Sequence, residues 1–449
     1  MEKTELDKFD VRQWYLSNFE LFENRLDGSS QTPFHETRKA AISRFSELGF
    51  PTPRNEEWKY TNVAPLLAHK FQLATQPSVP LKSLPEDFVF KGLDKNVLVF
   101  VNGHYSKELS TFDVKSKGLL VESLRNAILQ GNELVQKHLG QYATFEDEAF
   151  TALNTAFTED GVLVYVPDNT IIEEPIHFIN LTVAEDSEIV SHPRNLFVAG
   201  KNSQLTIIDT YHCLADNTYF NNVVTEFFVD ENTIVDHIKI QEESVEAFHI
   251  MSTHVQQERS SVYTNINIDL GGLLVRNNFS LLLNAENCES HLFGFYFGED
   301  RQHVDNHTFM DHAKPHCFSN ELYKGILGGK ARGVFNGKIM VRPNAQKTNA
   351  LQSNKTLLLT GDATINAKPQ LEIFADDVKC THGATIGQLD EEAMFYLRSR
   401  GISEEMVAAM LRYAFAADVF ENIKIESIRK KLDSRMIDIL KKVEGLGLS

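Results

Sequence analysis

The stretch TNINIDLGGLLVRNNFSLLLN, residues 264–284, alternates polar and apolar side chains and is interrupted by two glycines. In residues 265–269, asparagine or aspartate alternates with isoleucine, which is typical of a β strand because successive side chains of a strand point to opposite faces. Short runs of the same kind recur in GVLVYVPDNTIIEEPIHFINLTV (161–183), NLFVAGKNSQLTIIDTYH (195–212) and ARGVFNGKIMVRP (331–343). Helical periodicity is nearly absent between these runs, so the pattern argues against alternating βαβ units.

Two all-β architectures fit this series of short strands: a sandwich or barrel, and a β-solenoid. The short segments, the Asn and Gly residues in place of tight Asn-Gly hairpins, and the polar–apolar alternation favour the solenoid. In a solenoid each coil turns alternate side chains inward, and stacked coils share one core. No fixed repeat length is apparent in the sequence. We therefore predict a mainly β protein with a solenoid core.

Helices are predicted before the strand-rich part. In TRKAAISRFSELGF (37–50) the apolar residues follow helical spacing until Gly49, which supplies a stop. Further helices are expected over 121–139 and 145–157. Between the first helices and these lies RNEEWKYT (54–61), a polar turn whose tryptophan is expected to be buried.

Helices are predicted again after about residue 388. Asp390 is placed to cap the first of them and Ser403 the second. The final helix has an apolar stripe from Ile425 to Val443. Such stripes are typical of an intramolecular core, but at the end of a solenoid they must also cover an open sheet end or dock a partner. The second helix has one predicted apolar face, formed by Val407, Met410, Leu411, Ala414, Phe415 and Val419.

The composition is that of an acidic chain with unpaired thiols. Its 449 residues carry a formal net charge of -18 at pH 7, which argues against general binding to nucleic acid or to anionic membranes. The first residues lack the apolar core of a signal peptide, and no run of about 18 apolar residues predicts a membrane span. The four cysteines, at 213, 288, 317 and 380, form no CxxC pair, so we expect a protein of the reducing cytoplasm.

The stretch VKCTHGAT (378–385) carries the first candidate metal ligands. Residues two apart in a strand project to the same face, so Cys380 and His382 are expected to point together and Thr381 away from them. A thiolate and an imidazole suit iron, zinc or copper, but two ligands do not close a tetrahedral site. Another chain, a bound sulfide or solvent must then complete it. The alternative is that Cys380 is a small buried residue, because a Cys-x-His spacing is common by chance.

A second group of candidate ligands lies in HVDNHTFMDHAKPHC (303–317). Strand alternation places His303, Asp305 and His307 on one face, which is compatible with a zinc hydrolase, but there is no HExxH motif. The alternative is that these are hydrogen-bonded or solvated histidines on solenoid strands. The sequence also lacks a GxxxxGK[ST] loop, a GxGxxG turn after a strand and a GxSxG elbow, so any ATP is expected to be hydrolysed by a partner.

The chain contains three long composite stretches: GGLLVRNNFSLLLNAENCESHLFGFYF (271–297), FNGKIMVRPNAQKTNALQSNKTLLL (335–359) and KPQLEIFADDVKCTHGATIGQLDEEAMFYLRSRGIS (368–403). Together they resemble the SufB/SufD family of iron–sulfur cluster assembly proteins, and the resemblance extends over roughly residues 160–440. Two short motifs, RNEEWKYT and VKCTHGAT, are similar to the SufD branch of the family. Leu397, in FYLRSRGI, stands where SufB chains are expected to carry an essential cysteine.

The resemblance implies an N-terminal helical and mixed region (1–160), a right-handed parallel β-helix core (161–387) and a C-terminal helical region (388–449). It implies that the core pairs with SufB, that the C-terminal helices dock the SufC ATPase, and that the chain is a non-catalytic scaffold subunit. His382 is the implied ligand for iron or a transient Fe–S cluster at the SufB interface, and Cys380 is an auxiliary ligand or a buried residue. A reduced flavin is associated with such complexes, although no flavin site is visible in this sequence; the isolated chain is a possible homodimer.

Two competing hypotheses stay open at this point. In one, the chain is a stand-alone metal hydrolase that uses His303 and His307. In the other, it is a purely structural clamp for SufB that binds no metal, so that His382 and Cys380 are dispensable. Under the clamp hypothesis, polar substitutions at Leu411 or Phe415 are expected to abolish SufC binding.

Overall fold

The computed structural model describes residues 10–26, 28–76, 81–184 and 187–444, with side chains described up to residue 439. The chain winds into a β-solenoid of about eight coils, with helices before and after it. Each coil contributes one strand to each of two sheets, and the stacked strands pair in parallel. The prediction of a mainly β fold with a parallel solenoid core is therefore confirmed.

The middle of the chain is almost entirely strand, and both ends are helical. The helices are α1 Val11–Glu23, α2 Phe34–Leu48, α3 Ala64–Leu67, α4 Leu124–Leu129, α5 Glu133–His138, α6 Ala149–Phe157, α7 Glu391–Ser399, α8 Glu404–Phe420 and α9 Glu426–Glu444. The strands are β1 Gln72–Leu73, β2 Asn96–Val101, β3 His104–Phe112, β4 Leu120–Ser123, β5 Val162–Val166, β6 Ile176–Thr182, β7 Ile189–Ser191, β8 Arg194–Ala199, β9 Gln204–Cys213, β10 Phe220–Val229, β11 Ile234–Glu242, β12 Phe248–Gln257, β13 Val262–Asp269, β14 Leu274–Leu283, β15 Glu289–Gly298, β16 His303–His312, β17 Phe318–Leu327, β18 Arg332–Val341, β19 Asn349–Leu358, β20 Thr364–Ile373 and β21 Lys379–Gly387.

The coils stack in register although their lengths differ. Sheet A runs in the order β20-β18-β16-β14-β12-β10-β8-β5-β4, and sheet B in the order β21-β19-β17-β15-β13-β11-β9-β6-β2-β3. Register partners are 26 residues apart between Phe248 and Leu274 but 32 apart between Arg332 and Thr364. The extra residues lie in the turns, because the paired strands keep the same length. This variation explains why the sequence shows no fixed repeat.

One corner of the solenoid explains the asparagines between the strands. Successive coils turn there through a residue with positive φ, a conformation that asparagine tolerates better than most residues. The Asn202 side chain donates a hydrogen bond to Asn169 Oδ1 (3.0 Å), and Asn232 donates to Asn202 Oδ1 (3.2 Å). The corner residues of successive coils are Asn169, Asn202, Asn232, Ser260, Asn287, His316 and Lys347.

The interior between the two sheets is filled by side chains in continuous register. Burying such a column removes apolar surface from water at every coil, at about 25 cal/mol per Å². The alternation quoted from residues 265–269 has another origin: Ile266 and Ile268 lie on the outer face of sheet B under the C-terminal helices, whereas Asn265, Asn267 and Asp269 are buried on the inward face. Sheet A contributes Phe197, Phe227, Val255, Leu281, Met310 and Ile339, which are register partners and members of one buried cluster.

The N-terminal region joins the first coils instead of standing apart. Strand β2 pairs in parallel with β6, and β4 pairs antiparallel with β5. The helix predicted over 121–139 is wrong in part: its first residues form β4, and Gly131 with a φ of 67° separates α4 from α5. The helix predicted over 145–157 is present as α6.

The C-terminal helices α8 and α9 fold back over the outer face of sheet B. Ile428, Leu432 and Met436 of the predicted stripe are buried against strand residues such as Ile266 and Phe295. The side chains of residues 440–449, which include the last predicted stripe positions, lie outside the described residues. The final stripe is therefore an intramolecular core as far as it is described.

The predicted apolar face of α8 is only partly correct. Val407 and Val419 are buried, but Met410 and Ala414 are exposed. Phe415 packs against the outer face of sheet B, where the Lys324 ammonium lies 4.4 Å from its ring and donates to its carbonyl oxygen (3.0 Å). A substitution at Phe415 therefore disturbs packing within this chain, and its effect on the binding of a partner is not a separate readout.

Cys288 and Cys317 occupy equivalent positions in successive coils. The amide of Phe318 donates to Cys288 O (2.9 Å), which fixes the alignment of the two coils, and both thiols are buried. The sulfur of Cys288 lies 3.1 Å from Ala285 O, and the sulfur of Cys317 lies 3.2 Å from the same oxygen. Stacked strands are about 4.8 Å apart, a Cα separation that a disulfide can span.

We expect mild oxidation with diamide to link Cys288 to Cys317, because the coil register holds the two thiols together. Of the four thiols in the chain, two should then be lost, and peptide mapping should recover the 288–317 link. The Cys288→Ala variant is the control and should keep its three thiols under the same treatment. A link that involves Cys213 or Cys380 within one chain would show that the register is wrong.

Candidate functional site

The solenoid ends with two strands that each have a partner on one side only. In the described part of the chain, β20 pairs with β18 and β21 pairs with β19, and no further strand follows in either sheet. Such an edge presents free N–H and C=O groups to which another chain can bind. Large apolar side chains are exposed at the same end: Leu351 (39%), Ile373 (39%), Phe374 (61%) and Ile386 (52%).

Cys380 and His382 both lie on β21, on its inward face. Their register partners are Ala350 and Gln352, which are buried inside the solenoid. Strand β21 belongs to the last coil of the described chain, so His382 is exposed there, whereas Cys380 is half-buried against the end of the core. Burial raises the pKa of the Cys380 thiol. The strand alternation thus places the two side chains together, as the sequence pattern predicts, at the open end.

The interior behind His382 is polar, which the sequence reasoning missed. Gln352 Nε2 donates a hydrogen bond to Glu321 Oε2 (2.6 Å), and both side chains are buried. Burial raises the pKa of Glu321 to about 7. The missing signal was the coil length, because only the register shows that Glu321, Gln352 and His382 follow one another in successive coils.

The RNEEWKYT segment attaches the N-terminal region to the outer face of sheet A. The guanidinium of Arg276 lies 3.7 Å from the centre of the Trp58 ring, and both residues are buried. Thr61 Oγ1 donates to Asp305 Oδ2 (2.5 Å), which also accepts from Arg276 Nη1 (2.7 Å). Further along the segment, Glu56 pairs with Lys368 (2.5 Å). The segment is therefore a structural staple across several coils.

The histidines of 303–317 are part of this staple. His303, Asp305 and His307 do share the outer face of sheet A: His307 Nε2 lies 3.0 Å from Asp305 Oδ1, and His303 Nε2 lies 2.8 Å from Thr61 Oγ1. Asp305, however, is already bound to Arg276 and Thr61. Elsewhere in the segment, His312 Nε2 lies 2.9 Å from the hydroxyl oxygen of Ser319 in the interior. The segment as observed is a hydrogen-bonded structural element.

Helix α7 and the start of α8 form an exposed apolar surface. As predicted, Asp390 caps α7, accepting from the amides of Glu392 (2.8 Å) and Ala393 (3.1 Å). None of the residues of α7 is buried. The exposed fractions are 76% for Phe395, 57% for Tyr396, 53% for Met406 and 44% for Met410. A helix with large exposed aromatic side chains is typical of a surface that binds a partner.

Metal-ligand geometry within the described ranges is limited. No group of three or more His, Cys, Asp and Glu side chains is arranged there to hold a metal ion. His382 and Cys380 are thus at most part of a coordination shell.

Among the helices described, none combines the length and the apolar character needed to cross a bilayer.

Comparison with known proteins identifies the family. The family described as SUF system FeS cluster assembly, SufBD core domain, matches residues 181–415, and the SufBD protein N-terminal region matches residues 9–178. The chain belongs to the SufBD family. It is 35% identical to an iron–sulfur cluster assembly SufBD family protein of Synechocystis sp., with 91% of each chain covered.

Two further relatives are named iron–sulfur cluster assembly protein SufD. The chain is 30% identical to SufD of Escherichia coli over 95% of this chain and 96% of the relative. It is 25% identical to SufD of Bacillus subtilis over 95% of this chain and 97% of the relative. The SufBD membership is therefore supported along nearly the whole chain.

We expect Asp305→Asn to destabilise the fold by about 3–5 kcal/mol, because it leaves the Arg276 charge buried without its counter-charge. The measurement is urea unfolding followed by tryptophan fluorescence. Glu56→Gln, which removes an exposed partner of the same staple, is the matched control and should change stability little.

The effect of Asp305→Asn should also depend on pH. Burial alone would raise the pKa of Asp305, but the Arg276 charge and His307 outweigh it and hold the pKa well below its ordinary range. A carboxyl with a lowered pKa stabilises the fold above its unfolded pKa of about 4 and loses that contribution as the pH falls. The stability difference between the two proteins should narrow below about pH 4, where the Asp305 carboxyl is protonated in the unfolded chain. A difference that is the same at all pH values would contradict this assignment.

Proposed function

We propose that this SufBD family chain is a SufD-type subunit that pairs with a SufB-type chain and a SufC-type ATPase to assemble iron–sulfur clusters, and that it catalyses no reaction itself. The observation that carries the proposal is the position of His382. It is exposed on the inward face of the last coil, where both sheets lack a further strand. Two relatives of nearly full length that are named SufD support the choice of branch.

The candidate ligands at this end do not form a complete coordination shell, so a second chain must help to bind the iron or the Fe–S cluster. A pairing SufB-type chain would supply a thiolate opposite His382. A neutral imidazole binds iron or a cluster less strongly than a thiolate does, which suits a site that must release its cargo. Cys380 is the second candidate ligand. Because burial raises its pKa, Cys380 is a thiol at neutral pH and must lose its proton to bind iron.

The C-terminal helices offer a route by which an ATPase can act on this site. Strand β21 ends at Gly387 and α7 begins at Glu391, so few residues separate the exposed surface of α7 from the strand of His382. A SufC-type ATPase that dimerises on ATP would pull on α7, and the displacement would reach β21. Strain at the paired edges would then open the interface to incoming iron.

The proposal also assigns a role to each of the three regions of the chain and a location of the protein in the cell. The regions 1–160, 161–387 and 388–449 act as the N-terminal attachment, the pairing core and the ATPase-docking region. The outer face of sheet B, covered by α8 and α9, links the last two regions. Free cysteines in all four positions are compatible with a cytoplasmic location.

A purely structural clamp is the second candidate. The exposed apolar side chains at the open end, Phe374 and Ile386 among them, support pairing with another chain whether or not His382 binds metal. In that case loss of the imidazole has no effect on cluster formation.

We expect His382→Ala to lower iron loading and Fe–S yield by about tenfold or more in the complex purified with its SufB-type and SufC-type partners, because one ligand of a shared site is lost. The complex itself should assemble normally. Thr381→Ala, an exposed neighbour on the opposite face of β21, is the matched control and should load normally. Iron content and cluster absorbance are the readouts. Normal loading of the His382→Ala complex would remove His382 from the mechanism and favour the clamp.

A double substitution, Phe395→Ala with Tyr396→Ala, is expected to weaken binding to the SufC-type ATPase by about 30-fold or more, because large aromatic side chains dominate such interfaces. The thermal stability of the free chain should not change, since neither side chain is buried. Titration calorimetry with the purified ATPase measures the affinity. Phe112→Ala, at an exposed phenylalanine of the N-terminal region, is the control. Unchanged affinity in the double variant would place ATPase docking elsewhere.

A further inference from the structure

Three polar residues follow one another in successive coils at the open end: Glu321 on β17, Gln352 on β19 and His382 on β21. Glu321 is the register partner of Gln352, and Gln352 is the register partner of His382. All three therefore project from sheet B into the same interior column. The first two are buried and the third is exposed because no coil follows it.

The amide of Gln352 is held from one side only. Its Nε2 donates to Glu321 Oε2 (2.6 Å), and this bond orients the amide oxygen away from Glu321. That oxygen, Gln352 Oε1, is buried and has no hydrogen-bond partner. A buried amide oxygen without a donor costs about 1–3 kcal/mol, so a nearby N–H group gains by reaching it.

The opposite sheet leaves room for this amide. Gly337 on β18 faces it, and a Cβ added at Gly337 would overlap Gln352 Nε2 and contact Gln352 Cδ at 2.8 Å. Gly337 thus allows Gln352 to lie across the interior. The position of Gln352 Oε1 is therefore set by residues of three strands: Gly337 on β18, Gln352 itself on β19 and Glu321 on β17.

We propose that Gln352 is a positioning residue for His382: its Oε1, oriented by Glu321, accepts a hydrogen bond from one ring N–H of His382. The existence of this hydrogen bond does not depend on the proposed function. Only its role, which is to orient His382 for metal binding, rests on the proposed function. The bond fixes the neutral tautomer of the ring and leaves the lone pair of the other ring nitrogen directed to the open end. Histidines that bind metals commonly have their second ring nitrogen held in this way.

The chemistry explains why an amide and not a carboxylate occupies position 352. An amide oxygen accepts from the ring without adding a charge to the interior. It also does not attract a second proton to the imidazole, whose other nitrogen must stay unprotonated to bind iron. Glu321, one coil further in, keeps its carboxyl away from the ring and acts only on the orientation of the amide.

The direct test is the tautomer of His382 in the isolated full-length chain, read from ¹⁵N chemical shifts of labelled histidine, with His382→Ala to identify the signals. We expect one tautomer to dominate in the unmodified chain. In Gln352→Leu the ratio of tautomers should move towards equality by about fivefold, the loss of one neutral hydrogen bond. Asn354→Leu is the matched control: it removes a buried amide from the same face of β19, but its register partner is Ala384. It should leave the ratio unchanged.

A second variant, Gly337→Ala, tests the same hydrogen bond in case Gln352→Leu does not fold normally. Gly337→Ala keeps both Gln352 and His382 but displaces the amide, so it should shift the tautomer ratio in the same direction. An unchanged ratio in both Gln352→Leu and Gly337→Ala, in chains that melt normally, would overturn the inference. So would an equal mixture of tautomers in the unmodified chain.

Iron titration of the purified complex separates this inference from the proposed function. Gln352→Leu should weaken iron binding by about tenfold. A tautomer ratio that depends on Gln352, in a protein whose His382→Ala complex still loads iron normally, supports the hydrogen bond and counts against the proposed function alone. Weak iron binding in His382→Ala with no dependence on Gln352 overturns the inference and leaves the proposed function standing.

Discussion

Parallel, in-register stacking of coils is the constraint on which the rest of the molecule depends. Each strand satisfies its backbone hydrogen bonds with the coil before it and the coil after it, and each inward side chain packs on its register partners. The first coils meet this requirement within the chain, because β2 and β4 pair with β6 and β5. The last coil does not, and the exposed apolar residues Phe374 and Ile386 lie there together with the candidate ligands Cys380 and His382.

The outer faces of the two sheets are used differently. The RNEEWKYT segment closes sheet A through the buried Trp58, Arg276 and Asp305 group, and α8 with α9 closes sheet B through an apolar cluster. The N-terminal cover reaches the edge strand β20 through the Glu56–Lys368 ion pair. The C-terminal cover is preceded in the chain by α7, whose aromatic side chains are exposed and whose N-terminus follows β21 closely. The proposed ATPase-docking surface and the proposed pairing edge are thereby connected through one short segment, residues 388–390.

Strand alternation and turn residues favoured a solenoid over a sandwich or barrel and placed Cys380 and His382 on one face, and the family resemblance implied the parallel β-helix. The varying coil length could not be predicted, because insertions fall in turns whose composition does not mark them. Register partners such as Gln352 and His382, or Arg276 and Asp305, were therefore invisible in the sequence. The same limit explains the partial error in α8: helical periodicity identifies an apolar face, but not that Met410 and Ala414 on that face meet solvent while Val407 and Val419 are buried.

Hydrogen exchange, measured by mass spectrometry on this chain alone and bound to its SufB-type partner, tests the central claim that the open edge is the pairing surface. Exchange at β20 and β21 should slow strongly in the bound chain, because a partner strand then accepts from their free N–H groups. Exchange at β2 to β4, at the other end of the solenoid, should stay the same. Unchanged exchange at β20 and β21, with new protection elsewhere, would contradict the account.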